Sequence, residues 1–333
     1  MVTIEAQFAC GWTPNNMSQP DVTLSSLQPG QRLGSGGQGE VHRVKNHQGT
    51  AFKRYFDPAA VNAESLRALV EFPDSLDPSA RAALLAQTAW PQGRVTDSGR
   101  VVGFLMQEVP AQFFGRTTAG PKLRELQYLL YPPKPMWGDI KPLDSVGRVH
   151  LAHAFVKLMR TLHDHSMVLG DISMRNLLWS PGNPPDLFVL DCDGAHLVGY
   201  PTVLPQPETP GWEDPYMPAT GLDLDTDCYK VACAVGRILA AMAEVRPGEP
   251  LKPLSDIPQN VAKLAQACFK GAAGVHGTRP TLSQWAQALT GREMITLPTL
   301  PSPPQPPPKL PMADLDQRGP RETMPLPPFG SNP

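Results

Sequence analysis

From residue 31 to residue 56, apolar and polar positions alternate with a period of two, interrupted by a glycine-rich stretch and by Asn46-His47-Gln48-Gly49. That pattern predicts half-buried antiparallel strands joined by tight turns. Residues 60–71 place Leu66, Leu69 and Val70 on one side of a predicted helix, and residues 101–109 form a short, almost continuous apolar run of strand character. Residues 149–163 repeat Leu151, Phe155, Leu158 and Leu162 at helical spacing. Strand-like segments come next at 167–171 and 187–191, then predicted helices at 228–243, 261–270 and 282–289. Strands dominate the first part and helices the second, which is an α+β order. Residues 1–30 are polar and turn-rich and are expected to form an extension packed loosely on the first strands.

Composition adds a tail. Of the 333 residues 40 are proline, and from residue 297 onward the sequence runs LPTLPSPPQPPPKLP and ends MPLPPFGSNP. Few residues there can build a core, so an extended, polyproline-II-like tail is expected. Pro304, Pro307 and Lys309 match the P-x-x-P-x-basic spacing of some groove ligands, although a solvated tail with no reader is the simpler expectation. A formal net charge of -2 speaks against a partner gripped mainly through nucleic-acid phosphates. The five cysteines are scattered without a C-x-x-C pair, as expected of reduced thiols. The N-terminus has no basic region followed by an apolar one, and no apolar run reaches the ~18 residues of a membrane span. A soluble cytoplasmic protein is the expectation.

The candidate chemistry begins with Gly34-Ser35-Gly36-Gly37-Gln38-Gly39-Glu40-Val41, a G-x-G-x-x-G-x-V. In a dinucleotide fold such glycines lie between a strand and a helix. Here the chain continues as a strand, so they lie in a hairpin, where missing side chains let the backbone approach phosphates. Lys53 follows on the next strand between apolar neighbours, placed to reach nucleotide phosphates. An acid on the next helix would hold it. Glu64 is the first choice and Glu71 the second, and periodicity does not decide between them. Further on come Gly170-Asp171-Ile172-Ser173-Met174-Arg175-Asn176 and then Phe188-Val189-Leu190-Asp191-Cys192-Asp193-Gly194. An Asp, an Asn five residues on and a strand ending in Asp supply what phosphoryl transfer needs. One carboxylate orients the accepting hydroxyl, and oxygen ligands hold Mg²⁺ against phosphates.

With these motifs the chain resembles a eukaryotic-type protein kinase domain of a divergent bacterial kind, over about residues 29–292. The resemblance implies a bilobal fold with a β-rich N-lobe at 29–109 and a helical C-lobe at 110–292, between an extension at 1–28 and the tail at 293–333. It implies Asp171 as catalytic base, and Asn176 and Asp191 as Mg²⁺ ligands with Asp193 as the fallback. ATP phosphates would lie against Lys53 and the loop Gly34, Ser35, Gly36, Gly37, Gln38 and Gly39. Val41, Ala51, Met106, Gln107 and Val109 would surround the adenine, read by main-chain groups of the hinge. The cofactors implied are ATP and Mg²⁺, with Mn²⁺ as a possible substitute. Thr209-Pro210-Gly211-Trp212 resembles the end of an activation segment, Asp227 the buried Asp that opens a central helix, and Arg279-Pro280-Thr281 a late Arg-Pro-Thr.

The departures shape the expectation. Leu169-Gly170-Asp171 lacks the Arg that usually reads a phosphorylated activation loop, so gating by such phosphorylation is not expected. Ser173 stands where the family has Lys, and Arg175 is a candidate for the missing positive charge. The usual Glu partner of the late Arg is not evident, since Tyr216 follows Pro215, and Glu213 or Asp214 is the candidate partner of Arg279. His150, His153, His163 and His165 are read as structural or surface residues, Trp90, Trp179 and Trp285 as core, Trp137 as a loop anchor, and Cys192 as a small buried residue.

The leading function is transfer of the γ-phosphate of ATP to Ser/Thr hydroxyls of protein. A nucleotide-binding pseudokinase and a small-molecule phosphotransferase of the aminoglycoside or choline kinase type are the alternatives. Similar bacterial kinases suggest a PP2C-type phosphatase and a von Willebrand A-like protein as partners, with no nucleic acid and no membrane.

Overall fold

A computed structural model describes residues 21–292, so the proline-rich tail, its P-x-x-P motif and Cys10 lie outside the described residues. The first half holds β1 (Asp21–Thr23), β2 (Pro29–Ser35), β3 (Gly39–Val44), β4 (Thr50–Tyr55), α1 (Ala63–Glu71), α2 (Pro78–Gln87), β5 (Gly93–Asp97) and β6 (Arg100–Gln107). Its six strands form one sheet in the order β1-β5-β6-β4-β3-β2, with every pairing antiparallel except β1 with β5. The period-two pattern explains how the sheet is covered. On β4, Ala51 and Tyr55 join Phe104 and Met106 in the large core, while Phe52 turns to a smaller cluster with Leu27, Val44, Val95, Val102 and Leu105. A Cβ on Gly103 would run into the Lys53 carbonyl oxygen, so this residue sets how closely β6 crosses β4.

A small hairpin of β7 (Phe114–Thr117) and β8 (Gly120–Leu123) leads to α3 (Gln127–Leu130) and then to α4 (Ser145–Asp164). Asp144 caps α4 by accepting from the Gly147 amide at 2.7 Å. Four short strands come next, namely β9 (Met167–Val168), β10 (Leu177–Trp179), β11 (Leu187–Val189) and β12 (His196–Leu197), pairing as β9 with β12 and β10 with β11. The chain closes with α5 (Leu224–Ala240), α6 (Gln259–Gly271) and α7 (Leu282–Leu289). Capping boxes at Asp223/Thr226 and Thr281/Gln284 start α5 and α7. Helix α5 is buried along nearly its whole length and is the axis of this half. The fold is therefore mixed α+β, a sheet-rich region followed by helices.

The predicted helices and strands form near the expected positions, with differences that have physical causes. Residues 21–30 are not a loose extension. Asp21 accepts from Arg94 at 2.6 and 2.7 Å, β1 extends the sheet, and Leu27 is buried. Helix α2 has no counterpart in the hydrophobic pattern, because its Ala-rich sequence buries only Leu84 and so shows no apolar stripe. Trp90, Trp179 and Trp285 are fully buried, while Trp137 is partly buried with its ring edge-on to Tyr128 at 4.9 Å. Among the described residues no helix is long and apolar enough to cross a membrane.

Candidate active site

The β2–β3 hairpin closes with the Gly36 amide donating to the Gly39 carbonyl at 2.9 Å. Gly34, Ser35, Gly36 and Gly37 are exposed, and a Cβ on any of these three glycines would meet nothing within 4 Å. Gly39 is different: its Cβ would strike the Arg54 carbonyl oxygen, so glycine is needed there for strand approach. Gln38 reaches from the hairpin tip to the Pro205 carbonyl at 3.1 Å. Behind the hairpin, Val41 pairs with Lys53 and Ala51 with Met106 in the sheet register. Beyond Gln107, at the end of β6, the Glu108 carboxylate is held by Arg43, and Val109 packs against the core.

Lys53 is 6% exposed and its Nζ donates to Asp193 at 2.7 Å and to Asp191 at 3.1 Å. Burial works to lower the Lys53 pKa, but the charges of Asp193 and Asp191 outweigh it and hold the amine above its ordinary value. Tyr55, two residues further along the same face of β4, donates its hydroxyl to the other Asp193 oxygen at 3.1 Å. Burial first, then the Asp193 charge, keeps that phenol well above its ordinary pKa and therefore protonated. The structure does not bring Glu64 to Lys53. Glu64 lies in the first turn of α1, exposed, 3.7 Å from Arg67, and Glu71 is exposed at the other end. The residues that α1 buries are Ser65, Leu66 and Leu69, and they offer Lys53 no acid.

Asp171 sits on the loop after β9. Helix α5 fixes that loop through Asp227, which is fully buried and accepts from the Leu169 amide at 2.7 Å and the Gly170 amide at 2.9 Å. His163 of α4 faces the same carboxylate at 3.2 Å, which gives it a structural place. The Asp171 carboxylate accepts from the Asn176 side-chain amide at 2.9 Å and from the Thr209 hydroxyl at 3.2 Å. Burial, then the nearby Asp191 charge, pushes the Asp171 pKa up, while those two hydrogen bonds and the charge of Lys230 pull it back. Asp191 follows β11 in a left-handed conformation, φ 52°, one that Asp tolerates better than most side chains. Its side chain is 50% exposed and only one of its oxygens is used by Lys53, whereas Asp193 is 2% exposed. Among the described residues the Asn176 side-chain oxygen accepts no hydrogen bond. One half-free carboxylate and one amide oxygen are hard donors of the kind that suit Mg²⁺ bound mostly through phosphates. Cys192, between the two acids, is fully buried, and burial with the flanking charges raises its pKa well above the thiol range.

Two expectations on charge resolve differently. Arg175 is exposed and makes no hydrogen bond or ion pair among the described residues, although its charge is felt by Glu125. The cation near Asp171 is Lys230 of α5, which donates to the Gly170 carbonyl at 3.0 Å and lies 3.6 Å from Glu208. A Lys inside an apolar helix carries no motif, so nothing in the sequence marked it. The partner of Arg279 is Asp214, joined by two contacts of 2.6 Å, with Asp225 a further 2.9 Å neighbour. Glu213 instead lies 3.5 Å from Arg246.

No family model matches the chain. Among curated proteins it is similar to Protein kinase YegI of Escherichia coli O157:H7, 24% identical over 179 residues, 53% of this chain and 24% of that protein. The same-named protein of Escherichia coli strain K12 is 24% identical over 171 residues, 50% of this chain and 23% of that protein. The matches thus take in about a quarter of the relatives' own lengths, and the likeness to a protein kinase is a distant one.

Proposed function

We propose that this chain is an ATP-dependent protein kinase that transfers the γ-phosphate to Ser/Thr hydroxyls of protein substrates. The observation that carries the reading is the convergence of Lys53, Asp171, Asn176 and Asp191 from three separate segments, namely β4, the loop after β9 and the loop after β11. In this reading residues 29–109 and 110–292 are two lobes, and ATP lies between them with its adenine against Ala51, Val41 and the main chain of Met106–Val109. Lys53 and the glycine hairpin take the phosphates. Asn176 and Asp191 would hold Mg²⁺, which would neutralise charge on the phosphate oxygens when bound. The acceptor oxygen bonds to the γ-phosphorus as the bond to the leaving ADP oxygen breaks, and the acceptor proton passes to Asp171. A raised carboxyl pKa suits that role because it makes the group a better proton acceptor. The Thr209 hydroxyl on Asp171 fixes the carboxylate's orientation from the opposite segment.

Lys230 supports the absence of phosphorylation gating. The segment before Thr209 already carries an acid, Glu208, beside a buried cation bonded to the catalytic loop. A fixed carboxylate there does what an added phosphate would do. A cytoplasmic site of action belongs to the same reading.

The test is incubation with γ-labelled ATP and Mg²⁺, offering a generic protein, small alcohols and small amines as acceptors. Label on protein supports the proposal. Label on small acceptors alone replaces it with a small-molecule phosphotransferase, and nucleotide binding without transfer replaces it with a pseudokinase.

A further inference from the structure

Asp191 and Asp193 are two residues apart, both touch Lys53, and they differ in everything else. Both oxygens of Asp193 are committed inside the protein, one to the Lys53 ammonium and one to the Tyr55 hydroxyl. Its side chain is 2% exposed and each of its oxygens already accepts a hydrogen bond, so a metal ion entering from the cleft meets Asp191 first. Asp191 keeps one oxygen without a hydrogen bond among the described residues and half its surface in solvent. A Lys carries its charge on a flexible four-carbon stem, so its direction must be set by a fixed anion. An oxygen of Asp191 given over to a metal would leave Asp193 as the remaining acid on Lys53. Helix α1 offers none, because Glu64 and Glu71 both face solvent.

We infer that Asp193, oriented by Tyr55, is the positioning residue for Lys53, and that Asp193 is not a metal ligand. This deepens the proposed function and rests on it for the role of Lys53. The structural consequence is independent of that reading. The sheet is tied to the loop after β11 through two side chains of β4, and no acid of α1 touches Lys53.

The experiment compares wild type, Asp193→Asn, Asp191→Asn, Tyr55→Phe and Glu64→Gln by ADP titration calorimetry, with and without Mg²⁺, alongside thermal melts that confirm folding. Asp193→Asn is expected to weaken ADP about tenfold in both conditions, the scale of one charge-assisted hydrogen bond. The ratio of affinities with and without Mg²⁺ should stay as in wild type, and Tyr55→Phe should give a smaller change of the same form. Asp191→Asn should remove the Mg²⁺ dependence. If Asp193→Asn abolished the Mg²⁺ dependence and left the metal-free affinity intact, Asp193 would be a metal ligand and the inference overturned. A loss in Glu64→Gln equal to that in Asp193→Asn would overturn it as well. Should wild type bind no nucleotide, the proposed function fails, and the placement of Lys53 is then read without nucleotide by amine acylation and mass spectrometry. Lys53 should be acylated several-fold faster in Asp193→Asn and at the wild-type rate in Glu64→Gln. Equal rates in Asp193→Asn and wild type would overturn the inference on their own.

Discussion

Asp227→Asn is the substitution that separates loop anchoring from chemistry. The carboxylate is fully buried and accepts two backbone N–H groups, Leu169 at 2.7 Å and Gly170 at 2.9 Å, immediately before Asp171. A hydrogen bond to a charged group contributes about 1.5–3 kcal/mol, and leaving a buried donor unpaired costs about 1–3 kcal/mol. Asparagine keeps one acceptor oxygen but turns an NH₂ against the second amide, so one bond is lost and the other weakens to a neutral one. The expected cost is about 2–4 kcal/mol. That is a large share of the ~5–15 kcal/mol typical of a domain, yet small enough to leave the chain folded at 25 °C. Urea unfolding followed by tryptophan fluorescence measures it, with the exposed Asp97→Asn as control. Hydrogen exchange at Leu169 and Gly170 should quicken in the same variant. A cost below about 0.5 kcal/mol, within the range of an ordinary surface change, would refute the view that Asp227 clamps this loop.

The geometry sets three further outcomes. Asp214→Ala leaves the buried Arg279 guanidinium without its main partner and should cost about 3–5 kcal/mol, nearer the lower figure because Asp225 remains 2.9 Å away; denaturant unfolding reads it. Gly39→Ala should lose about 1–3 kcal/mol from the clash with the Arg54 carbonyl, whereas Gly37→Ala, in open space, should change thermal stability little. His153 is half-buried, and burial first, then Lys157, His150 and Arg160, lowers its pKa below 6.5. The folded state then binds that proton less readily than the unfolded chain, so stability is full above pH 6.5 and declines as pH falls towards the lowered value. His153→Gln should flatten the stability profile as pH falls below about 6.5, and an unchanged slope would contradict this.

What the sequence made legible was local. Asp171, Asn176 and Asp191 lie within 21 positions on loops flanking short strands, so spacing alone placed them together. The amphipathic stripe of α4 was equally plain. The long-range choices were not. The partner of Lys53 is Asp193, 140 positions away in sequence, and not an acid on the adjoining helix. At 3.6 residues per turn Glu64 lies opposite the side of Leu66, Leu69 and Val70, so the period points it to solvent, but nothing in residues 60–71 says which acid takes its place at Lys53. Lys230 hides in an apolar run, and its role depends on Glu208 and Gly170 lying against that turn of α5. The parallel pairing of β1 with β5 joins residues about 70 positions apart, and three-residue strands leave no period to detect.

Transfer from γ-labelled ATP to protein by wild type and Asp171→Asn, at equal and saturating nucleotide, bears hardest on the proposed chemistry. Loss of a general base typically slows transfer by about 10²–10⁴-fold, so Asp171→Asn should bind ADP as wild type does and lose at least about a hundredfold in rate. Equal rates in the two proteins, or a wild type that binds ATP and transfers nothing, would contradict the assignment of Asp171 as the base of a kinase.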